Sequence, residues 1–177
     1  MLLPLLIALA GMPAAADQTD PALDRLFARL PPAGAAEAVA IEREIWRRWS
    51  VTAVEEAIIP FRRGMAAIGR GQWPEALRHF ADVTAKAPAF AEGWNKRATV
   101  LFHLGHHAEA ARAVERVLEL EPRHFGAWAG LGLVRDAQGR PGEALAALER
   151  ALAIHPHMPG VAEAVRNLRR RVGGRAI

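Results

Sequence analysis

AEGWNKRATVLFHLGHHAEAARAVERVLELEPRH (91–124) and FGAWAGLGLVRDAQGRPGEALAALERALAIHPHM (125–158) are one pattern written twice, and AIIPFRRGMAAIGRGQWPEALRHFADVTAKAPAF (57–90) is a third copy in register. At this spacing of 34 residues four columns agree in all three copies: Gly71, Gly105 and Gly139; Glu75, Glu109 and Glu143; Ala76, Ala110 and Ala144; Pro88, Pro122 and Pro156. Trp94 pairs with Trp128, and Gly64, Ala98 and Gly132 form a column of small residues. An internal repeat in register is the strongest signal in the chain and fixes its architecture before any other feature.

Each column has a physical task. Glycine reaches left-handed backbone angles at little cost, so Gly71, Gly105 and Gly139 suit the residue just past the end of a helix. Proline disfavours helical geometry in the residue before it, so Pro88, Pro122 and Pro156 mark the end of a second helix. Every unit is therefore a pair of helices. The alanines let helices approach closely, while Trp94, Leu101, Trp128 and Leu131 supply bulk around the contact. A lone pair cannot bury its apolar stripe, so neighbouring units must stack into an all-α solenoid.

On these residues the segment 57–158 resembles the tetratricopeptide repeat (TPR) family, whose helical hairpins stack into a right-handed superhelix. The middle copy carries the pattern on Trp94, Ala98, Leu101, Ala110, Val114, Val117 and Pro122, and the last on Trp128, Leu131, Gly132, Ala144, Leu148, Ala151 and Pro156. In the first copy Pro60 stands where the family has Trp, which places the expected start of that helix at Pro60. The resemblance implies a right-handed α-solenoid of three hairpins, and a protein or peptide partner held on the concave wall made by the first helices. Some members grip a chaperone's terminal carboxylate with Lys, Asn and Arg on successive first helices. Asn95, Lys96 and Arg97 are instead consecutive and point around one helix, and Met65 and Gly130 replace polar groups of such a clamp.

On the wall of the middle copy, Glu92, Asn95, Thr99, Phe102 and His103 share one helical face. The last copy contributes Leu133 and Asp136, and the first contributes Ile58, Phe61, Met65 and Ile68. Glu92, Asn95, Thr99, Phe102, His103, Leu133 and Asp136 are the candidate partner-binding residues. The apolar end of the wall is expected to lie beneath Trp46 and Trp49, because large exposed apolar patches are rare.

The flanks complete the organisation. Residues 17–56 are expected to hold a helical hairpin, opened by Asp20-Pro21 and broken at Pro31-Pro32-Ala33-Gly34, that acts as a degenerate repeat or N-terminal cap. In its second helix Ala38, Ile41, Ile45 and Trp49 share a face. Residues 159–172 read as a capping helix and 173–177 as a tail that frays. Arg166, Arg169, Arg170, Arg171 and Arg175 follow the last acid; without these five the formal charge would fall from +4 to −1. A solvated cap is the expected use of this basic helix, contact with anionic lipid the alternative, and no nucleic acid is expected because no aromatic side chain interleaves the arginines.

Residues 1–16 combine an apolar run, Leu2 to Ala10, with Gly11, Pro13 and the small residues Ala14, Ala15 and Ala16. This resembles a secretory signal peptide cleaved after Ala16, and the run is shorter than the roughly 20 apolar residues of a spanning helix. The expected location is the periplasm. The chain has no cysteine, which excludes disulfides, thiolate catalysis and cysteine metal sites. It has one serine, Ser50, and none of the glycine-rich, serine-elbow or paired-histidine motifs of enzymes. His103 and His107 have the spacing of a helical metal pair, but Gly105 falls between them. The reading is a non-enzymatic protein-interaction module with no catalytic residue, metal or cofactor assigned.

Overall fold

The computed structural model describes residues 17–174, which form nine helices and no strand. They are α1 (Ala22–Arg29), α2 (Ala35–Trp49), α3 (Glu55–Gly69), α4 (Trp73–Lys86), α5 (Ala91–His103), α6 (His107–Leu120), α7 (Phe125–Ala137), α8 (Pro141–Ile154) and α9 (Pro159–Gly173). The segment 1–16, read above as a signal peptide, and the end of the tail lie outside the described residues.

Helices α3 and α4, α5 and α6, and α7 and α8 pair as antiparallel hairpins that stack in chain order. The turn within each pair is set by Gly71, Gly105 and Gly139, at φ +68°, +78° and +73°. Past each glycine the next amide reaches back five residues to close the helix end: Gln72 to the Ala67 carbonyl, His106 to Leu101 and Arg140 to Arg135, each at 2.9 Å. This satisfies carbonyls that a helix end otherwise leaves open.

The column of small residues sets the closeness of each pair. A Cβ placed on Gly64 would lie 2.7 Å from the Phe80 ring, and one on Gly132 would lie 2.4 Å from Leu148. The Trp and Pro columns turn out to be one device. The Trp94 indole donates to the Pro88 carbonyl at 3.0 Å and the Trp128 indole to the Pro122 carbonyl at 2.9 Å, tying each first helix to the end of the hairpin before it.

Two expectations are corrected. Helix α3 starts at Glu55 and carries Pro60 inside it. Proline there removes one hydrogen bond near a helix start, and burial of Ala57, Pro60 and Phe61 offsets the loss, with Phe61 packed 5.8 Å from Phe80 and 5.3 Å from Phe90 between ring centres. The second correction concerns the N-terminal hairpin. It does not cap the first copy: Leu23, Leu30, Ile41, Ile45 and Trp49 share a core with Phe125, Ile154 and Met158, so α1 and α2 lie across the later copies. The apolar wall of the first copy is thus not beneath Trp46 and Trp49. Met65 stays 40% exposed, and Ile58, Phe61 and Met65 line an open cleft of about 340 Å³ with Ser50, Val51, Thr52 and Arg62.

Candidate binding groove

The first helices α5 and α7 lie side by side, and α9 follows in the same direction of stacking, so their facing residues make the concave wall. The N-terminal hairpin divides this wall into a closed half and an open half.

The closed half centres on Glu92, only 1% exposed. Its Oε2 accepts from the Asn95 amide at 2.8 Å and lies 3.1 Å from Nε2 of His124, while the Lys96 ammonium stands 2.8 Å from Oε1. Nδ1 of His124 accepts the Ala127 amide at 3.0 Å, which caps α7. That bond leaves Nε2 as the protonated nitrogen, so a neutral His124 donates to the carboxylate. Burial by itself pushes the Glu92 carboxyl up, but the His124 hydrogen bond and the Lys96 charge outweigh it and hold Glu92 below the ordinary carboxylate range.

The hairpin seals this network with indoles. Trp49 stacks on His124, ring centres 4.0 Å apart and planes 10° from parallel. Trp46 lies edge-on to Trp49, His124 and Phe125, and Lys96 sits 5.4 Å above its ring. Trp46 fits because residue 126 is glycine; a Cβ there would come within 2.6 Å of the ring. Glu92, predicted to face a partner, is therefore closed off behind His124, Lys96 and the indoles of α2, whereas Asn95, though 8% exposed and bonded to Glu92, still lines the open hollow. Trp46 and Trp49, expected over the apolar wall of the first copy, lie instead on His124 and Phe125, and His124 is the residue the sequence reading misses. One signal pointed to His124: in the repeat register it occupies the column of Phe90 and Met158, where the other copies are apolar.

The open half retains Asn95, Thr99, Phe102 and His103 of α5, which line a hollow of about 220 Å³ with Gly130, Leu133 and Val134 of α7. Beyond Leu133 a second hollow, of about 370 Å³, is lined by Ala129, Leu148, Met158, Val161 and Ala164. Leu133 forms the ridge between the two and is 53% exposed. Asp136 is not free, because Arg171 of α9 pairs with it at 2.9 Å. Arg169 likewise pairs with Glu149 at 2.8 Å, and Arg166 and Arg170 remain exposed. His103 stacks on Trp73 with ring centres 4.1 Å apart, whereas His107, across the Gly105 turn, sits beside Phe102.

The tetratricopeptide repeat family model matches residues 61–113 and 96–159, more than half of the chain. A TPR repeat-containing protein of Rhizobium etli is 32% identical over 118 residues, which cover 66% of this chain and 58% of that protein. The matched part thus spans little more than half of that relative. Among solved structures the chain is similar to the Arabidopsis OM64 TPR domain (TM-score 0.65, 22% identity, 66% of this chain and 97% of that one) and to the first TPR of Spaghetti (RPAP3), solved bound to the HSP90 peptide SRMEEVD (TM-score 0.66, 20% identity, 68% and 95%). The chain belongs to the tetratricopeptide repeat family.

Proposed function

We propose that this chain is a non-enzymatic protein-interaction module that holds a short polypeptide segment in the open half of its concave wall, against Thr99, Phe102, His103 and Leu133. The observation that carries the reading is Leu133, a large apolar side chain left exposed on a ridge between two apolar hollows where a stacked solenoid presents a stiff, preformed surface. Similar folds solved with peptides, such as the Spaghetti (RPAP3) domain, give the general precedent. The segment bound here is expected to differ in chemistry, since Asn95 and Lys96 are committed to Glu92. A membrane-surface role for α9 loses support because Arg169 and Arg171 are spent on internal ion pairs.

The test is in-cell photocrosslinking from position 102, repeated with Leu133→Asp. A polypeptide attached to the first protein and lost from the second supports the reading; attachment indifferent to Leu133→Asp overturns it. We further propose that the protein acts in the periplasm after removal of residues 1–16. N-terminal sequencing of protein from a periplasmic fraction checks this, with Asp17 as the expected first residue.

A further inference from the structure

The closed half of the wall shows what it is built to hold, because something already occupies it. Helix α2 enters with an apolar stripe, Ile41 and Ile45, and with two indoles three residues apart, Trp46 and Trp49. Glu42, four residues before Trp46, accepts the Trp46 indole N–H at 3.2 Å. Opposite them the solenoid offers a notch at Gly126, an imidazole face at His124 and an ammonium at Lys96. Each is a complement to an aromatic side chain: open space, a flat stacking partner and a cation over the ring.

The contact that holds the occupant leaves buried polar atoms unpaired. Nε1 of Trp49 and both ring nitrogens of His155 are buried with no hydrogen-bond partner among the described residues, and Nε2 of His155 lies 3.2 Å from Glu42 without bonding it. An unsatisfied buried polar group destabilises the contact that buries it. The link from α2 to α3 is the short run 50–54, in which Ser50, Val51 and Ala53 are exposed. The hairpin shares its hydrophobic core with Phe125, Ile154 and Met158, and it meets α5 only through Lys96 at the Trp46 ring and Gln18 at the Ala91 amide among the contacts described. Its departure would therefore uncover the Glu92 network while leaving the stacking of α3 to α6 untouched, the arrangement expected of a segment that opens on its own.

We propose that residues 17–50 are an intramolecular occupant of the concave wall, and that the partner which replaces α2 is an amphipathic helix bearing two aromatic side chains three residues apart with an acid four residues before the first. This deepens the interaction-module reading and rests on it: the resident hairpin closes half of the wall, and a partner gains the whole of it only by competing with α2.

The experiment uses the full chain and two clamps that lie outside the α2 contact. Gln18 bonds the Ala89 carbonyl and the Ala91 amide, and Asp24 pairs with Arg123. The variant Gln18→Ala with Asp24→Ala loosens the hairpin without altering the surface α2 sits on. The probe is a labelled peptide of this chain's own residues 35–50. It is expected to bind the loosened variant about ten-fold more tightly than the wild type, because affinity rises with the fraction of open molecules. A peptide carrying Trp46→Ala and Trp49→Ala is expected not to bind. Because the chain has no cysteine, His124→Cys and Val100→Cys report opening through thiol labelling. Position 124 is fully buried against Trp49 of α2, and Val100 lies in the repeat core. Loosening is expected to speed labelling at position 124 and leave position 100 protected.

Equal labelling at both positions in both backgrounds would mean that the hairpin leaves only with global unfolding, and the proposal falls. Faster labelling at 124 without peptide binding would make the hairpin a cover and not a ligand, which also overturns it. A dimer formed by hairpin exchange in place of peptide binding would assign the occupant to a second copy and reject the partner stated here. Should the double variant unfold, Asp24→Asn supplies the milder loosening. None of these outcomes bears on crosslinking from position 102, so the interaction-module reading stands or falls separately.

Discussion

The solenoid from α3 to α9 and the hairpin of α1 and α2 are made of the same kind of helix but are held by different kinds of contact. In the solenoid every element packs on its neighbours in the chain, through seams such as Gly64 on Phe80 and Gly132 on Leu148. The hairpin reaches far along the chain, with Gln18 bonded to Ala89 across 71 residues and Arg123 to Asp24 across 99. Stacked repeats derive stability from local units and nearest-neighbour interfaces, so they can form step by step. The hairpin has no place to dock until α5 and α7 are in position. The lesson is that one chain carries a modular scaffold and a long-range lid that depends on it.

The sharpest way to break this comparison is to remove one large side chain from each region. Phe80→Ala, at a fully buried ring against Gly64 and Phe61, is expected to destabilise by about 4 kcal/mol and to abolish the stacked helices together, as followed by urea denaturation. Trp49→Ala is expected to cost about 3 kcal/mol but to act on the hairpin first. Hydrogen exchange should then rise over α1 and α2 while α4 to α6 stay protected. Equal loss of protection everywhere would show one cooperative unit and erase the distinction.

A smaller effect is expected at the joint between the regions. Glu92→Gln keeps the shape and removes the charge that pairs with Lys96 and receives the His124 hydrogen bond, for a loss of about 2 kcal/mol in denaturation midpoints converted to free energy. The same joint gives a pH dependence. Glu92 is held below its unfolded range, so its contribution is complete above the ordinary carboxylate pKa and fades as pH falls through the lower folded value. Stability of the hairpin is expected to decline below the ordinary carboxylate range, and Glu92→Gln is expected to flatten that decline. Glu44 is also lowered, to about 2 by its hydrogen bonds from Arg47 and Arg48, but solvent screens this surface pair and little of the decline is expected from it.

The smallest effect is expected at the rim. Asp24 is 75% exposed in its side chain, and Asp24→Ala is expected to cost less than about 1 kcal/mol in the same denaturation measurement. A loss several times larger would mean that the clamp, and not the indoles, holds the hairpin.

Much of the scaffold was legible because its instructions are local. Glycine columns fix turns, proline columns fix helix ends, and the 34-residue period fixes the stacking order, all without knowledge of distant contacts. The start of α3 at Glu55 does not follow from the Pro60 backbone, because burial of Ala57, Pro60 and Phe61 outweighs the hydrogen bond that proline removes. The groove was legible only in part. Asn95, Thr99, Phe102, His103 and Leu133 line open hollows, yet Glu92 shares a helical face with Thr99 and differs from it only in what covers it.

By itself, then, the sequence determined the repeat, the helical pairs and the family, since each follows from propensity and from contacts between neighbours in the chain. The tertiary structure alone decided where the N-terminal hairpin lies and which part of the wall is closed. That choice depends on a fit between surfaces far apart in the chain, an indole into the notch at Gly126 and another against the His124 ring, and no periodicity in the chain encodes such a fit.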